Sequence, residues 1–517
     1  MYILSPKQIA KADAATISNN EITSLHLMEY AATQCFNWLH QRLQGQNIKI
    51  HVFCGIGNNG GDGLVIARLL HLHGYNIDCY VVNFSDKRSP EFLENYNKLK
   101  EIGKWPKVIK NENEFPVIAF EDIVIDAIFG IGLSRNPSGF TKKLIQYINS
   151  TKVFTLAIDF PSGLFGHKSV SDKNAVLKAG HILTFQTPKL VFLLPENKDF
   201  VKTWEVINIG LDQNFIESLK PKTQYTTKED ILTIYKPRNK WSHKGNFGHS
   251  LVIGGSFGKI GAISLAAKAA LKIGSGLVSA YVPKCGYTIL QISIPEVMVE
   301  VDDDDALNYF NFKTKPTVIG IGPGMGTLEK TRIGFRNFLK ENQLPLIIDA
   351  DGINILSIHP ELLHLLPKNS ILTPHPKELE RLIGAWKNDF DKLKKAIEFS
   401  KTNTVLLVIK GANTVIVDGD CLYFNSTGNP ALATAGSGDV LTGLITGLVA
   451  QGYSSKEAAI FGVYLHGKTA DIAIQETGYE TFTASTILDY LPNALLQLFA
   501  PEETEEDTSN ENDKPET

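Results

Sequence analysis

Short β-branched runs alternating with helical patterns occur in two successive series, and this doubling constrains the fold more than any other feature of the chain. The first series occupies residues 48–53, 78–82, 123–125, 154–158 and 182–185. After a run at 204–211 comes a polar stretch through Lys228. The alternation then restarts at 250–255 and continues at 317–321, 345–349 and 404–409, with helices such as 437–451. Strands interleaved with helices predict parallel sheets covered on both faces. A chain of 517 residues also exceeds one ordinary domain. We therefore expect two α/β domains, 1–220 and 221–500, with the boundary inside 215–230. The end, 501–517 (PEETEEDTSNENDKPET), has almost nothing apolar to bury and is expected to be an acidic, disordered tail.

Charge and cysteine usage narrow the function classes. The net charge of -4 and the scatter of basic residues leave no footprint for nucleic acid. Five cysteines lie far apart with no CxxC pair, which suggests reducing cytosol rather than a disulfide framework or zinc site. The N-terminus lacks a signal-peptide pattern and no apolar run approaches membrane-spanning length, so a cytoplasmic chain with no membrane partner is expected. Small-molecule chemistry is the default.

The stretch CGIGNNGGDG (54–63) places Gly55, Gly57 and Gly60 in the spacing that holds dinucleotide pyrophosphates at a helix N-terminus. An ordinary dinucleotide domain also has an acid about 20 residues on for the ribose. Here the run 81–85 ends without one. Asn58, Asn59 and Asp62 instead put amide and carboxylate groups beside Gly60 and Gly61. Read alone, the stretch is equally a polar turn capping a helix. Two further strand ends carry Asp126 and Asp159, and ligands of open parallel sheets bind outside such ends. Asn59, Asp126 and Ser162 could share one oxygen-seeking cation, with 130–136 as a second backbone-rich wall. A single strand-end aspartate is more readily a helix cap, but three loops share this chemistry.

The motifs ADAATI (12–17), LMEYA (27–31), GNNGGDG (57–63), IDAIFGIG (125–132) and IDFPSG (158–163) resemble the NAD(P)H-hydrate epimerase family over nearly the whole first domain. That resemblance implies a Rossmann-like three-layer sandwich whose substrate is a hydrated nicotinamide nucleotide, NADHX or NADPHX, inverted at its hydroxylated carbon. It implies substrate contacts from Asn58, Asn59, Gly60, Gly61 and Asp62, from Gly130, Ile131, Gly132, Leu133, Ser134, Arg135 and Asn136, and from Asp159. It also implies K+ at Asn59, Asp126 and Ser162. Epimerising a carbinolamine carbon needs the hydroxyl to leave and return with acid–base help. Asp159 or Asp126 is the candidate for that proton transfer, with Asp159 preferred.

In the second half Gly254, Ser256 and Gly258 fit GxSxG, with His375 and His466 downstream, but no oxyanion loop accompanies them and a hydrolase elbow is set aside. Nor does the segment match a Walker P-loop, since Ile260 follows Gly258 and Lys259 where that motif has Ser or Thr. The stronger signal is ATAGSGDVLTG (433–443), where Gly436 and Gly438 bare backbone N–H groups to an anion at a helix start. Asp439 follows in the first turn. A carboxylate beside a phosphate suggests a base that activates a hydroxyl toward phosphoryl transfer; alone, it could simply stabilise its helix.

With SHKGNFGH (242–249), GGSFGKIGA (254–262), GIGPGMG (320–326), IDADGIN (348–354), LTPHPKEL (372–379), KGANT (410–414) and HGKTAD (466–471), this motif resembles the ribokinase-like NAD(P)H-hydrate dehydratase family from 242 to about 500. The resemblance implies a ribokinase-like three-layer sandwich. It implies that Ala262, Gly324, His375 and Asp439 contact the hydrate, while Lys410, Gly411, Ala412, Asn413, Thr414 and Gly438 contact the adenine nucleotide. By itself His375 is more simply a structural histidine. The implied reaction phosphorylates the ring hydroxyl, with Asp439 taking its proton, and then expels phosphate to regenerate NAD(P)H. Mg2+ would accompany the nucleotide, and the fused arrangement favours ADP over ATP as co-substrate. A homo-oligomer is expected. Two departures stand out: Lys377 follows Pro376 where a glycine is usual, and Thr486 stands where an aspartate is common. The competing readings are a small-molecule kinase with an accessory nucleotide-binding domain and a binding protein without turnover.

Overall fold

The computed structural model of the chain describes residues 1–500; the expected acidic tail lies outside the described residues. The chain folds as two compact α/β units. One comprises Met1–Tyr225 with Trp386–Lys394, the other Thr226–Ala385 with the chain from Lys395 on.

The first unit holds helices α1 (Pro6–Asn19), α2 (Ser24–Leu43), α3 (Asn58–Leu72), α4 (Pro90–Glu101), α5 (Gly139–Thr151) and α6 (Gln213–Ser218). Its strands are β1 (Ile50–Cys54), β2 (Ile77–Val82), β3 (Lys107–Ile109), β4 (Ile123–Ala127), β5 (Phe154–Ile158), β6 (Ala179–Phe185) and β7 (Val201–Ile207). They pair throughout in parallel, in the order β3-β2-β1-β4-β5-β6-β7. All five residues of β1 are buried, as a strand covered on both faces requires. Order reverses between β1 and β4, so the loops leaving those strands diverge and open a crevice at their carboxyl ends. Glycine makes this crevice tight: a Cβ on Gly55 would lie 1.9 Å from the Ile128 carbonyl oxygen, and one on Gly60 2.0 Å from that of Gly55.

The second unit begins with β8 (Thr223–Thr226), which straddles its boundary, and α7 (Lys228–Ile234). There follow β9 (His249–Ile253), α8 (Ile260–Lys272), β10 (Leu277–Pro283), α9 (Tyr287–Ser293), β11 (Met298–Asp302), β12 (Val318–Ile321), α10 (Glu329–Glu341), β13 (Leu346–Ile348) and α11 (Ala350–Ile358). Next come β14 (Ile371–Leu372), α12 (Pro376–Ile383), α13 (Asp389–Asn403), β15 (Leu406–Ile409), β16 (Val415–Asp418), β17 (Cys421–Asn425), α14 (Ser437–Ala450), α15 (Ser455–Thr477) and α16 (Ala484–Gln497). The ten-stranded sheet runs β11-β10-β9-β12-β13-β14-β15-β16-β17-β8. It is parallel from β11 to β15 and antiparallel across β15, β16 and β17. Its crevice lies between β9 and β12. Val440, Leu441, Leu444, Ile445 and Leu448 bury α14 in the core, and a Cβ on Gly443 would lie 2.1 Å from the Ala266 carbonyl of α8. That close helix contact fixes where the first turn of α14 points.

Candidate functional site

In the first unit the predicted loops converge on the β1/β4 crevice. Asp126, the penultimate residue of β4, is fully buried; its carboxylate accepts from the Ser162 hydroxyl (2.6 Å), the Ser162 backbone N–H (2.7 Å) and the Ile128 N–H (3.2 Å). Burial pushes this carboxyl up to about 6 against those three donors. The Ser162 oxygen in turn accepts from the Phe129 N–H at 2.9 Å. Asn59, in the first turn of α3, packs against Gly130, whose added Cβ would sit 3.3 Å from the amide carbon. The buried Asn59 Nδ2 has no partner. The structure therefore joins Asp126 to Ser162 directly and brings Asn59 to the turn four residues beyond Asp126. An orphaned amide beside carboxylate and hydroxyl oxygens is a donor set that suits a hard monovalent cation once the amide turns its oxygen inward.

Asn58 is exposed at the start of α3, which has no side-chain cap, so its first N–H groups remain open to an anion. In 130–136, Gly132, Ser134 and Arg135 are exposed, while Ile131 and Leu133 are half-buried. Lys168 donates to the Ser134 carbonyl (2.9 Å) and Asn136 to the Ser171 hydroxyl (2.7 Å). Asp159 follows β5 with φ +61°, a left-handed conformation that aspartate tolerates better than most residues. Its Oδ1 accepts from the Thr184 hydroxyl (3.3 Å) and the Phe185 N–H (3.2 Å) and lies 3.2 Å from the Lys189 ammonium. Lys189 is 3% exposed and also donates to Thr184 Oγ1, the Phe185 carbonyl and the Thr187 carbonyl. Burial lowers its pKa, while Asp159 supports the charge. Asp62 is buried, and that burial, together with Asp159 and Asp13, drives its carboxyl well above the usual range. Sequence reasoning gave no role to Lys189, and Asp13 entered it only as part of the ADAATI motif. Where β2 ends, the ribose acid of ordinary dinucleotide domains is replaced by Asn83, held by Arg88 at 2.9 Å.

In the second unit Asp349 follows β13 and is 2% exposed. Its Oδ1 receives the Lys410 ammonium at 2.6 Å and its Oδ2 the Thr442 hydroxyl at 2.8 Å. A Cβ on Gly438 would lie 3.1 Å from the Lys410 nitrogen, so a cation sits at the first turn of α14. That helix begins at Gly436 in a left-handed conformation with no side-chain cap. Uncapped N–H groups, helix dipole and ammonium together make an anion site. Asp439 borders it, and burial, with the charges of Asp349 and Asp351, pushes its carboxyl up to about 6 despite Lys410. Gly411 and Thr414 close a turn through Thr414 Oγ1 and the Gly411 carbonyl (3.2 Å), with Gly411 and Ala412 exposed and Asn413 half-buried. A Cβ on Gly324 would lie 3.2 Å from that of Ala262, so these two predicted residues share one wall. Asp351 accepts from the Gly326 N–H of the same loop.

His375 caps α12: its Nδ1 accepts from the N–H groups of Lys377 (3.1 Å) and Glu378 (3.3 Å), while Nε2 lies 3.4 Å from Glu378 Oε1 on a half-exposed ring. Lys410 N–H donates to the Pro374 carbonyl, tying this loop to the anion site. The set-aside hydrolase pattern has no geometry behind it: the Ser256 hydroxyl donates to the Gly324 carbonyl at 2.8 Å, and buried His466 faces Ser437 instead. Thr486 accepts from the Thr483 N–H as the third residue of the α16 capping box.

Comparison with known proteins decides the family. Residues 24–191 match the family described as YjeF-related protein N-terminus, and residues 250–493 match NAD(P)H-hydrate dehydratase. The bifunctional NAD(P)H-hydrate repair enzyme Nnr of Moorella thermoacetica is 34% identical over 523 residues, covering 98% of each chain. The chain belongs to the bifunctional NAD(P)H-hydrate repair enzyme family. The Escherichia coli repair enzyme is 32% identical over 469 residues, covering 88% of this chain and 85% of its own. Among solved structures, the Bacillus subtilis ADP/ATP-dependent NAD(P)H-hydrate dehydratase co-crystallised with ATP/Mg2+ is 28% identical, with a TM-score of 0.47 over 53% of this chain and 98% of that one. An Enterococcus faecalis ribokinase-like superfamily protein is 25% identical, also at a TM-score of 0.47, over 54% and 98%. The first match lies within the first unit, and the second match covers most of the second unit together with Trp386–Lys394, which belongs to the first.

Proposed function

We propose that this repair-family chain interconverts the R and S forms of NADHX and NADPHX in its first unit and dehydrates the S form to NAD(P)H in its second. ADP is the co-substrate, giving AMP and phosphate. The observation that carries the reading is the anion site at the start of α14, where Lys410 and open N–H groups meet the half-buried carboxyl of Asp439. Hydroxide is a poor leaving group, so the ring hydroxyl is first phosphorylated. Asp439 accepts the hydroxyl proton as the oxygen attacks the terminal phosphorus. Lys410 and the amides beside Gly438 hold the charge of the transferring phosphoryl group. Phosphate then leaves as the ring nitrogen donates its electron pair, and loss of a proton from the neighbouring carbon restores the dihydronicotinamide. Ala262, Gly324 and His375 line the hydrate, and the 410–414 turn receives the adenine nucleotide. Mg2+ bound with the nucleotide would spread charge on its phosphates; among the described residues no group of three or more His, Cys, Asp or Glu side chains forms a metal site.

In the first unit Asp159 is the proton-transfer group. The residues 58–62 and 130–136 hold the nucleotide, and Asn59, Asp126 and Ser162 hold K+, which would neutralise Asp126 and fix the β4 turn. Assembly as a homo-oligomer and a cytoplasmic setting complete the proposal. They are consistent with exposed Tyr287, Ile289 and Ile292 on α9 and with five free cysteines. Among the described residues, no helix is long and apolar enough to cross a membrane.

The test supplies purified R and S hydrates separately, with ADP and Mg2+, and follows the reduced-nicotinamide absorbance band. The reading expects NAD(P)H from both epimers, with AMP formed in equal amount. A stable phosphorylated product would mark a kinase, and no turnover would mark a binding protein.

A further inference from the structure

The hydrate is a dinucleotide, and Ala262, Gly324, His375 and Asp439 account for its reacting ring alone. A cavity of about 460 Å3 in the second unit, of the size usual for small-molecule sites, has no role so far. It is lined by Thr327, Asp351, Asn354, Ser357, Ile358 and Arg381. Two of its walls start at residues assigned to the ring: Thr327 lies three residues beyond Gly324, and Arg381 lies on α12, which His375 caps. The third wall is α11, where Asp351, Asn354 and Ile358 share one face and extend about 10 Å from the first turn. Asp351 marks the end next to the ring. Its Oδ2 accepts from the Gly326 N–H at 2.8 Å and lies 4.0 Å from the Lys259 ammonium, and the Lys259 carbonyl would be 2.7 Å from a Cβ on Gly324.

A chain of hydrogen bonds crosses this cavity. Asn354 Nδ2 donates to Asp351 Oδ1 (3.2 Å), and Asn354 Oδ1 accepts from the Arg381 guanidinium (2.7 Å). A neutral amide therefore aims the guanidinium, and among the described residues no carboxylate pairs with it. Its other N–H groups stay open on an exposed side chain. Lys377, exposed one turn earlier on the same face of α12, adds a second cation at the position where the resembled family usually has glycine. Ile358, 53% exposed, offers apolar surface at the far end.

We propose that this cavity binds the adenosine half of the hydrate and that Arg381 recognises its 2′-phosphate, which makes the dehydratase selective for NADPHX over NADHX; this rests on the dehydratase reading of the second unit. An arginine fork stays charged and matches phosphate oxygens two at a time. NADHX presents only a hydroxyl at the same place and leaves the fork to water. Ile358 meets the adenine, and Asp351 at the near end accepts from a ribose hydroxyl. Lys377 adds positive potential that draws the dianionic phosphate toward the fork.

The experiment uses the full chain with ADP and Mg2+ and measures initial rates of dehydration on the purified S forms of NADPHX and NADHX. The wild type is expected to favour NADPHX in kcat/KM by at least about tenfold, mostly through KM. Arg381→Gln, which can still bond Asn354 but carries no charge, should lower kcat/KM for NADPHX by about 10–100-fold and bring the two hydrates within about threefold of each other. Ile358→Glu, an exposed change that sets a carboxylate in the cavity, should raise KM for both hydrates, and for NADPHX by at least about tenfold. A wild type without preference, an equal fall on both hydrates in Arg381→Gln, a fall confined to kcat, or an Ile358→Glu chain with KM unchanged overturns the proposal. If neither hydrate turns over, the dehydratase reading fails by itself and calorimetry decides the subsite. With ADP present, 2′-phospho-ADP-ribose should then bind the wild type at least about tenfold more tightly than Arg381→Gln, and equal binding overturns the proposal.

Discussion

The proposed dehydratase chemistry rests on one carboxyl, that of Asp439. Asp439→Asn keeps the shape but cannot take a proton, so ADP-dependent dehydration should fall by about 10²–10⁴-fold while inversion of the R hydrate is unchanged. Because the base must be ionised, the dehydration rate should climb with pH and level off above about 6, where burial and Asp349 have placed this group. A rate–pH profile checks this, and a profile flat from 5 to 8 would remove Asp439 from its role. The shift has a stability sign too. The folded chain holds this proton more tightly than an unfolded chain whose carboxyl titrates near 3.8, so stability contributed by the protonated form is lost as pH rises through 6. Asp439 was legible because glycine-rich helix starts advertise anion sites. Asp349 is equally legible in principle, being a strand-end aspartate like Asp126 and Asp159. Lys189 had no such signal: a lysine between two prolines' worth of loop gives no hint that its ammonium is 3% exposed and clamps a carboxylate 30 residues upstream.

At the scale of elements, the alternation predicted parallel sheets, and β1, β2, β4, β5, β6, β9, β12, β13 and β15 all coincide with predicted runs within a few residues. Five of the strands without a predicted run have a physical explanation. β3 and β14 are three and two residues long, too short for periodicity to register. β16 and β17 form an antiparallel hairpin that departs from the alternating pattern. β10, Leu277–Pro283, is buried on six of seven residues yet mixes Ser, Ala and Tyr with valine, which blurs the β-branched signal. The glycine turn after β1 has the spacing of a pyrophosphate cradle, and in the structure Gly55 and Gly60 are demanded by backbone contact. Gly60→Ala would drive a methyl to 2.0 Å from the Gly55 carbonyl, where only backbone can yield. The expected cost is about 1–3 kcal/mol, typical of overpacking, with inversion activity lost and dehydration retained. A shifted denaturation midpoint for the first unit, read alongside both assays, measures it.

At the scale of the whole molecule, the proposed roles give each unit a complete set of groups for its own step, and no residue assigned to one reaction is drawn from the other unit's motifs. Asp159 and its ammonium belong to the β5 and β6 ends, Asp439 and Lys410 to α14 and β15. Completeness within each unit implies that the shared substrate can reach the second site from solution. An equimolar mixture of Asp159→Asn and Asp439→Asn chains should therefore convert both epimers fully to NAD(P)H, although neither variant alone converts the R hydrate by enzymatic inversion followed by dehydration. The mixture supplies an intact epimerase unit on one chain and an intact dehydratase unit on the other, and the S hydrate released by the first is the substrate of the second. Progress curves on pure R hydrate should show a lag that shortens as total protein rises, since the intermediate must accumulate before the second step runs. A mixture that stalls with R hydrate unconsumed would mean that the two reactions require active units in one chain, and the independence argued from the residues would fail.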